Sequence, residues 1–137
     1  MTMFGRDLLD YIKANKSGTP FYSVEFSLNY INEAATDIIA VYDTGGYSPD
    51  RYHSVCLPID RPTAQVRIRH SSASTAWTIA NYLYEMLDGL YSISINDREY
   101  LQITCTAPPT YLGADEVSTN GKAHEYTLNL YSMIKRT

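Results

Sequence analysis

The chain has 137 residues, enough for one domain that buries roughly two thirds of the surface its unfolded form exposes. Hydrophobic residues make up 45% and charged residues 19%, which excludes a disordered or fibrous chain. Eleven basic against fifteen acidic residues leave a net charge of -4, so no basic field draws in nucleic acid or an anionic membrane surface. Cys56 and Cys105 are too few for a disulfide framework, and the start of the chain has no apolar run fit for a signal peptide. No stretch is long and apolar enough to span a membrane. A reducing cytoplasm is the expected place of synthesis. Thirteen tyrosines against three phenylalanines favour surfaces that are half buried or become buried in contacts.

In chain order, Phe4, Leu8, Tyr11 and Ile12 recur at helical spacing over residues 3–15, and Ser17-Gly18-Thr19-Pro20 ends the run. Phe21 to Leu28 alternates and predicts a strand. Asp37 to Asp43 is short, β-branched and apolar on both faces, as for a strand covered on both sides. Thr63 to His70 alternates as well: Val66 and Ile68 point one way, Gln65, Arg67 and Arg69 the other. Ser71 or Ser72 can then cap a helix whose stripe is Ala73, Ala76, Trp77, Ala80, Leu83, Tyr84 and Leu87, with Trp77 expected in the core. Gly89 stands where a left-handed stop is expected. Tyr91 to Ile95 and Tyr100 to Thr106 predict a hairpin around Asn96-Asp97, stopped by Pro108-Pro109. Ala123 to Ile134 alternates as a last strand. The predicted class is α+β: a single domain, 1–137, with an antiparallel-rich sheet covered by two helices, in the order α-β-β-β-α-β-β-β.

Two long loops complete this reading, Thr44 to Pro62 and Ala107 to Gly121. Loops of such length are commonly functional. Their Tyr47, Tyr52, Val55, Leu57, Ile59, Tyr111 and Leu112 are not a disordered composition, so both are expected to order against a neighbour.

Catalytic motifs are sparse. Asp43-Thr44-Gly45 follows an apolar strand, where aspartic proteases place a carboxylate that shares a proton with a second one. Tyr111-Leu112-Gly113 is similar to the segment that supports that loop in retroviral-type proteases. Two helices in the wrong places and Gly46 after Gly45 speak against it, and a Gly-Gly turn after a buried strand is the plainer reading. His53, His70 and His124 lie on separate elements, and Ser54 and Cys56 flank His53 too closely for a triad. Cys56, Cys105 and a histidine lack a fourth metal ligand. Gly45-Gly46 has no Lys-Ser or Lys-Thr after it to make a phosphate loop.

Taken together, several features run in a recognisable order. They are the opening helix, the strand into Tyr42-Asp43-Thr44-Gly45-Gly46, the Pro-containing loop, and the Gln65-Val66-Arg67-Ile68-Arg69 strand. The helix ending at Leu87-Asp88-Gly89, the Pro-x-Tyr-Leu-Gly-x-Asp segment at 109–115 and the last alternating strand follow. This pattern resembles the tail terminator, or minor capsid, proteins of the head-tail neck of long-tailed bacteriophages. The resemblance implies a structural virion protein rather than an enzyme, with no cofactor or metal, assembled in the host cytoplasm. It implies a hexameric ring that caps the tail tube, ends tube polymerisation and joins the tail to the connector. The implied partners are further copies of itself, the tail tube protein and a head-tail connector or stopper protein. Genomic DNA would only pass through the channel, and no membrane is involved.

Candidate contact residues are Asp43, Tyr47, Tyr52, Arg67, Arg69, Tyr111, Asp115 and Glu116. Arg67 and Arg69 share one strand face, where they can meet a neighbour's acidic groups. Alternatives are another neck protein, such as a stopper, or a dimeric aspartic-type hydrolase using Asp43.

Overall fold

The computed structural model describes residues 4–17, 21, 24–31, 37–45, 47–50, 59–117 and 121–135. Among these residues two helices, α1 (Phe4–Asn15) and α2 (Ala73–Leu87), accompany nine strands. The strands are β1 (Glu25–Leu28), β2 (Ile38–Asp43), β3 (Tyr47–Asp50), β4 (Ile59–Arg61) and β5 (Thr63–His70), then β6 (Leu90–Ile95), β7 (Arg98–Cys105), β8 (Thr110–Val117) and β9 (Gly121–Lys135). The α+β class and the predicted order stand. The two connections expected as loops carry strands of their own: β3 and β4 in the first, β8 in the second.

The spine is β9. Along one side it pairs antiparallel with β5 and then β4; along the other, with β8 and then β7. Pro62 separates β4 from β5 because it has no N–H to give the ladder. Its carbonyl is taken up by Ser132, whose N and Oγ donate to it at 3.1 and 2.9 Å. Outward from β5 lie β2, antiparallel, and β1, parallel to β2. Outward from β7 lies β6, and outward from β4 lies β3.

Both helices lie on one face of this sheet. Phe4, Leu8, Leu9 and Ile12 of α1 and Ile79, Ala80, Leu83 and Leu87 of α2 join Ile39, Val41, Val66, Ile68, Ile103, Leu128 and Leu130 in one core cluster. Each large side chain there contributes roughly 1.5–3 kcal/mol by leaving water. Local signals end the elements where the sequence places them. Ser72 Oγ accepts from Thr75 N at 3.3 Å to cap α2, and Gly89 follows the helix at φ +75°. Asn96 and Asp97 take φ +49° and +64°, the two left-handed residues a tight β6–β7 hairpin turn needs.

Trp77 is a correction. It is 49% exposed, while Ile79 is fully buried. The helix buries Ala76, Ile79, Ala80, Leu83 and Leu87, so the true stripe is centred to one side of the predicted one and Trp77 falls on its border. Trp77→Ala should therefore cost about 1 kcal/mol rather than the roughly 3–5 of a core indole. Urea unfolding checks this.

Candidate functional site

Asp43 ends β2 in an exposed position beside the first turn of α1. Its Oδ1 accepts from Gly5 N at 2.7 Å, its Oδ2 accepts from Asn29 Nδ2 at 3.2 Å, and its own N donates to Asn29 Oδ1 at 2.8 Å. The carboxylate thus satisfies an orphan N–H of a helix and sits at the favourable end of its dipole. This binding of α1 to the ends of β1 and β2 accounts for an Asp at this position without a proton-sharing dyad. Gly45, at φ +90°, makes the turn that was read from Gly45-Gly46. Gly46 lies outside the described residues.

Gly5 is small for a reason. A Cβ there would stand 2.7 Å from Asp43 Oδ1. Gly→Ala inside a helix ordinarily gains about 1 kcal/mol. Gly5→Ala should forfeit that gain and lower Tm by roughly 2–5 °C, as the carboxylate is pushed off its donor. Thermal unfolding by circular dichroism reads the shift.

A row of rings runs from α2 onto β9 and β8. Trp77 stands 5.9 Å from Tyr126, and Tyr126 stands 5.1 Å from Tyr111. Tyr111 stacks towards His124 at 6.3 Å, and its hydroxyl lies 3.0 Å from His124 Nδ1. Trp77, Tyr111 and the neighbouring Leu112 are each about half exposed, at 49, 50 and 47%. Apolar side chains brought together at the surface in this way mark contact sites. The sequence singled out Tyr111 but not Trp77 or Tyr126 as its neighbours. The missing signal was β8 itself, whose register brings Tyr111 opposite Tyr126.

Arg67 and Arg69 do share one face, opposite the helices, and that face is not simply solvated. Arg69 is 7% exposed and forms a buried ion pair with Glu125, Nε and Nη2 lying 2.7 and 2.6 Å from Oε1. Arg67 is half buried with its guanidinium 6.0 Å from the Tyr42 ring. The acidic residues named with them stand elsewhere. In backbone register Asp115 lies opposite Ala123 and Glu116 opposite Lys122, at the far end of β8. Tyr47 lies opposite Arg61 on β3. Tyr52, with His53, Ser54 and Cys56, lies outside the described residues.

His70 is held in place by backbone chemistry. Its Nδ1 accepts from Ser72 N at 3.0 Å, which puts the ring proton of the neutral form on Nε2, 3.5 Å from Asp37 Oδ2. Burial pushes the Cys105 thiol up to about 12, with the Asp88 charge adding to it, so the thiol is a poor nucleophile at neutral pH. Among the described residues no three His, Cys, Asp or Glu side chains gather as metal ligands. No helix among them is long and apolar enough to cross a membrane.

Among the described residues the aromatic row and the open strand edges are the surface features best suited to contact with a partner. No curated protein matches the sequence. Several solved structures match; in one of them the match covers 98% of this chain and 92% of that chain, with a TM-score of 0.58 at 15% identity. Residues 6–131 match the family model described as bacteriophage tail terminator protein, and the chain belongs to that family of phage tail structural proteins.

Proposed function

We propose that the chain is the subunit of a hexameric ring that caps the tail tube, ends tube polymerisation and joins the tail to the head-tail connector. The observation that carries this reading is the aromatic row in which half-exposed Trp77 and Tyr111, with Leu112, flank the partly buried Tyr126, on a member of the tail terminator family. A closed ring of identical subunits needs two different contact surfaces on each, and further surface for the tube and the connector. The aromatic row and the open edges of the sheet supply such variety. The net charge of -4 suits a channel that lets DNA pass, because like charges do not hold phosphates.

The test is negative-stain imaging of the protein with its tail tubes, paired with light-scattering mass at high concentration. Six-fold rings, or a cap at one end of each tube, support the proposal. A compact dimer that ignores tubes overturns it.

A further inference from the structure

Four strands have one open edge among the described residues: β1 pairs only with β2, β3 with β4, β6 with β7, and β8 with β9. Open edges are ordinarily blunted by charge, proline, shortness or an irregular ladder. Two of the four are: β3 carries Pro49 and Asp50, and β8 breaks register at Gly113 and carries Asp115 and Glu116. β1 is short, at four residues, and its one charge is Glu25 at its start. β6, Leu-Tyr-Ser-Ile-Ser-Ile, has no charge and no proline and keeps one register with β7 from Leu90↔Ile103 to Ile95↔Arg98, with Ser92 alone left out of the ladder. Ser92 within it holds φ +52°, a left-handed value that a side chain rarely adopts, and the ladder continues unbroken on either side. Strained backbone of this kind persists where the surroundings use it.

The two ends of the sheet also match one another. Along the path β1-β2-β5-β9-β7-β6 the terminal edges are β1 and β6. Among the described residues the two most exposed large apolar side chains stand at those ends, Tyr91 on β6 at 65% and Tyr30 just after β1 at 61%. The ammonium groups of Lys13 and Lys16 lie over the Phe26 ring of β1, whereas the β6–β7 hairpin exposes Asp97, and Glu99 with Lys135 Nζ 3.8 Å from its Oε2. The acid on β1 itself is Glu25.

Resting on the ring reading above, we infer that the β6 edge of one copy pairs with the β1 edge of the next, so that the sheet continues from subunit to subunit. Such a contact uses one copy of each edge per chain. It is therefore head-to-tail, the type that closes into rings. Backbone hydrogen bonds give it affinity, and Tyr91 and Tyr30 cover it from the sides.

The experiment is amide hydrogen exchange on the wild-type chain, dilute and assembled, beside Tyr91→Lys/Ser94→Lys, which adds the missing edge charges at exposed positions. On assembly those amides of Leu90–Ile95 and Glu25–Leu28 that point away from β7 and β2 should slow at least tenfold. The double variant should melt near wild type and remain monomeric where wild type forms rings. Rings whose β6 amides exchange as in the monomer, or rings formed equally well by the variant, overturn the contact alone. Protection of β6 that appears only when tubes are added assigns the edge to the tube protein and overturns it too. A wild-type chain that makes no ring even with tubes overturns the ring reading and this contact with it.

Discussion

Asp7→Ala is expected to remove about 3–5 kcal/mol of stability, a large share of what a domain of this size has, and to lower Tm by roughly 10–15 °C. Asp7 lies on α1, fully buried, and its side-chain partners among the described residues come from the β6–β7 hairpin. Arg98 reaches it through Nε at 2.7 Å and Nη2 at 3.1 Å, Asn96 Nδ2 donates at 3.0 Å, and the Tyr100 hydroxyl donates to Oδ2. Removing the carboxylate leaves the buried Tyr100 hydroxyl without its acceptor and unties α1 from the hairpin. Arg98 is better placed to recover, since its side chain is 36% exposed. Asp7→Asn keeps the volume and one acceptor, so it should cost about 1–2 kcal/mol. Urea unfolding of both variants gives the order, and equal stabilities would remove the network from the account.

The same network sets an alkaline limit. Burial first, and the hydrogen bond and charge of Asp7 next, raise the Tyr100 phenol well above its ordinary value; the hydrogen bond to Asp7 likewise holds the Arg98 guanidinium charged. A raised phenol favours its protonated form in the folded chain. That stability is present in full below about pH 10, where an unfolded tyrosine titrates, and is lost as pH climbs towards the raised value. Tyr100→Phe should flatten this alkaline limb relative to wild type.

What could be read from the sequence was local. The hairpin turn at Asn96-Asp97, the Ser72 cap, Gly89 after α2 and the alternation of Val66 and Ile68 each depend on residues a few positions apart. Their chemistry is the same before and after folding. What escaped reading depended on distant partners. Asp7 looks like an ordinary solvated helix residue until Asn96, Arg98 and Tyr100, some ninety positions on, are folded against it. Asp43 carries a motif that suggests an acid catalyst, yet its contacts are with Gly5 and Asn29. Pro108-Pro109 and Gly113 hide β8, because its ladder to β9 shifts register between Tyr111 and Gly113. The aromatic row depends on that ladder and was hidden with it. For Trp77, a wide apolar stripe gives the direction of a helix face but not its centre, which the underlying strands decide.

Arg69→Glu should be the most damaging single change on the opposite face, costing at least about 4 kcal/mol. Alternation alone suggests that reversing Arg67 and Arg69 would weaken subunit association and spare the monomer. Burial of the Arg69–Glu125 pair reverses that expectation for Arg69: the variant sets two carboxylates against each other where water cannot screen them. Arg67→Glu, half buried, should cost about 1 kcal/mol. Replacing both members of the buried pair, Arg69→Met with Glu125→Leu, removes the desolvation cost together with the attraction and should come within about 1–2 kcal/mol of wild type. The double-mutant cycle then separates fold from assembly. If the pair serves the sheet alone, the double variant matches wild type in the imaging test of the proposed function although neither charge remains. Arg69→Glu melting at the wild-type temperature would instead show the guanidinium turned outward, free for the contact with a neighbour that the sequence first suggested.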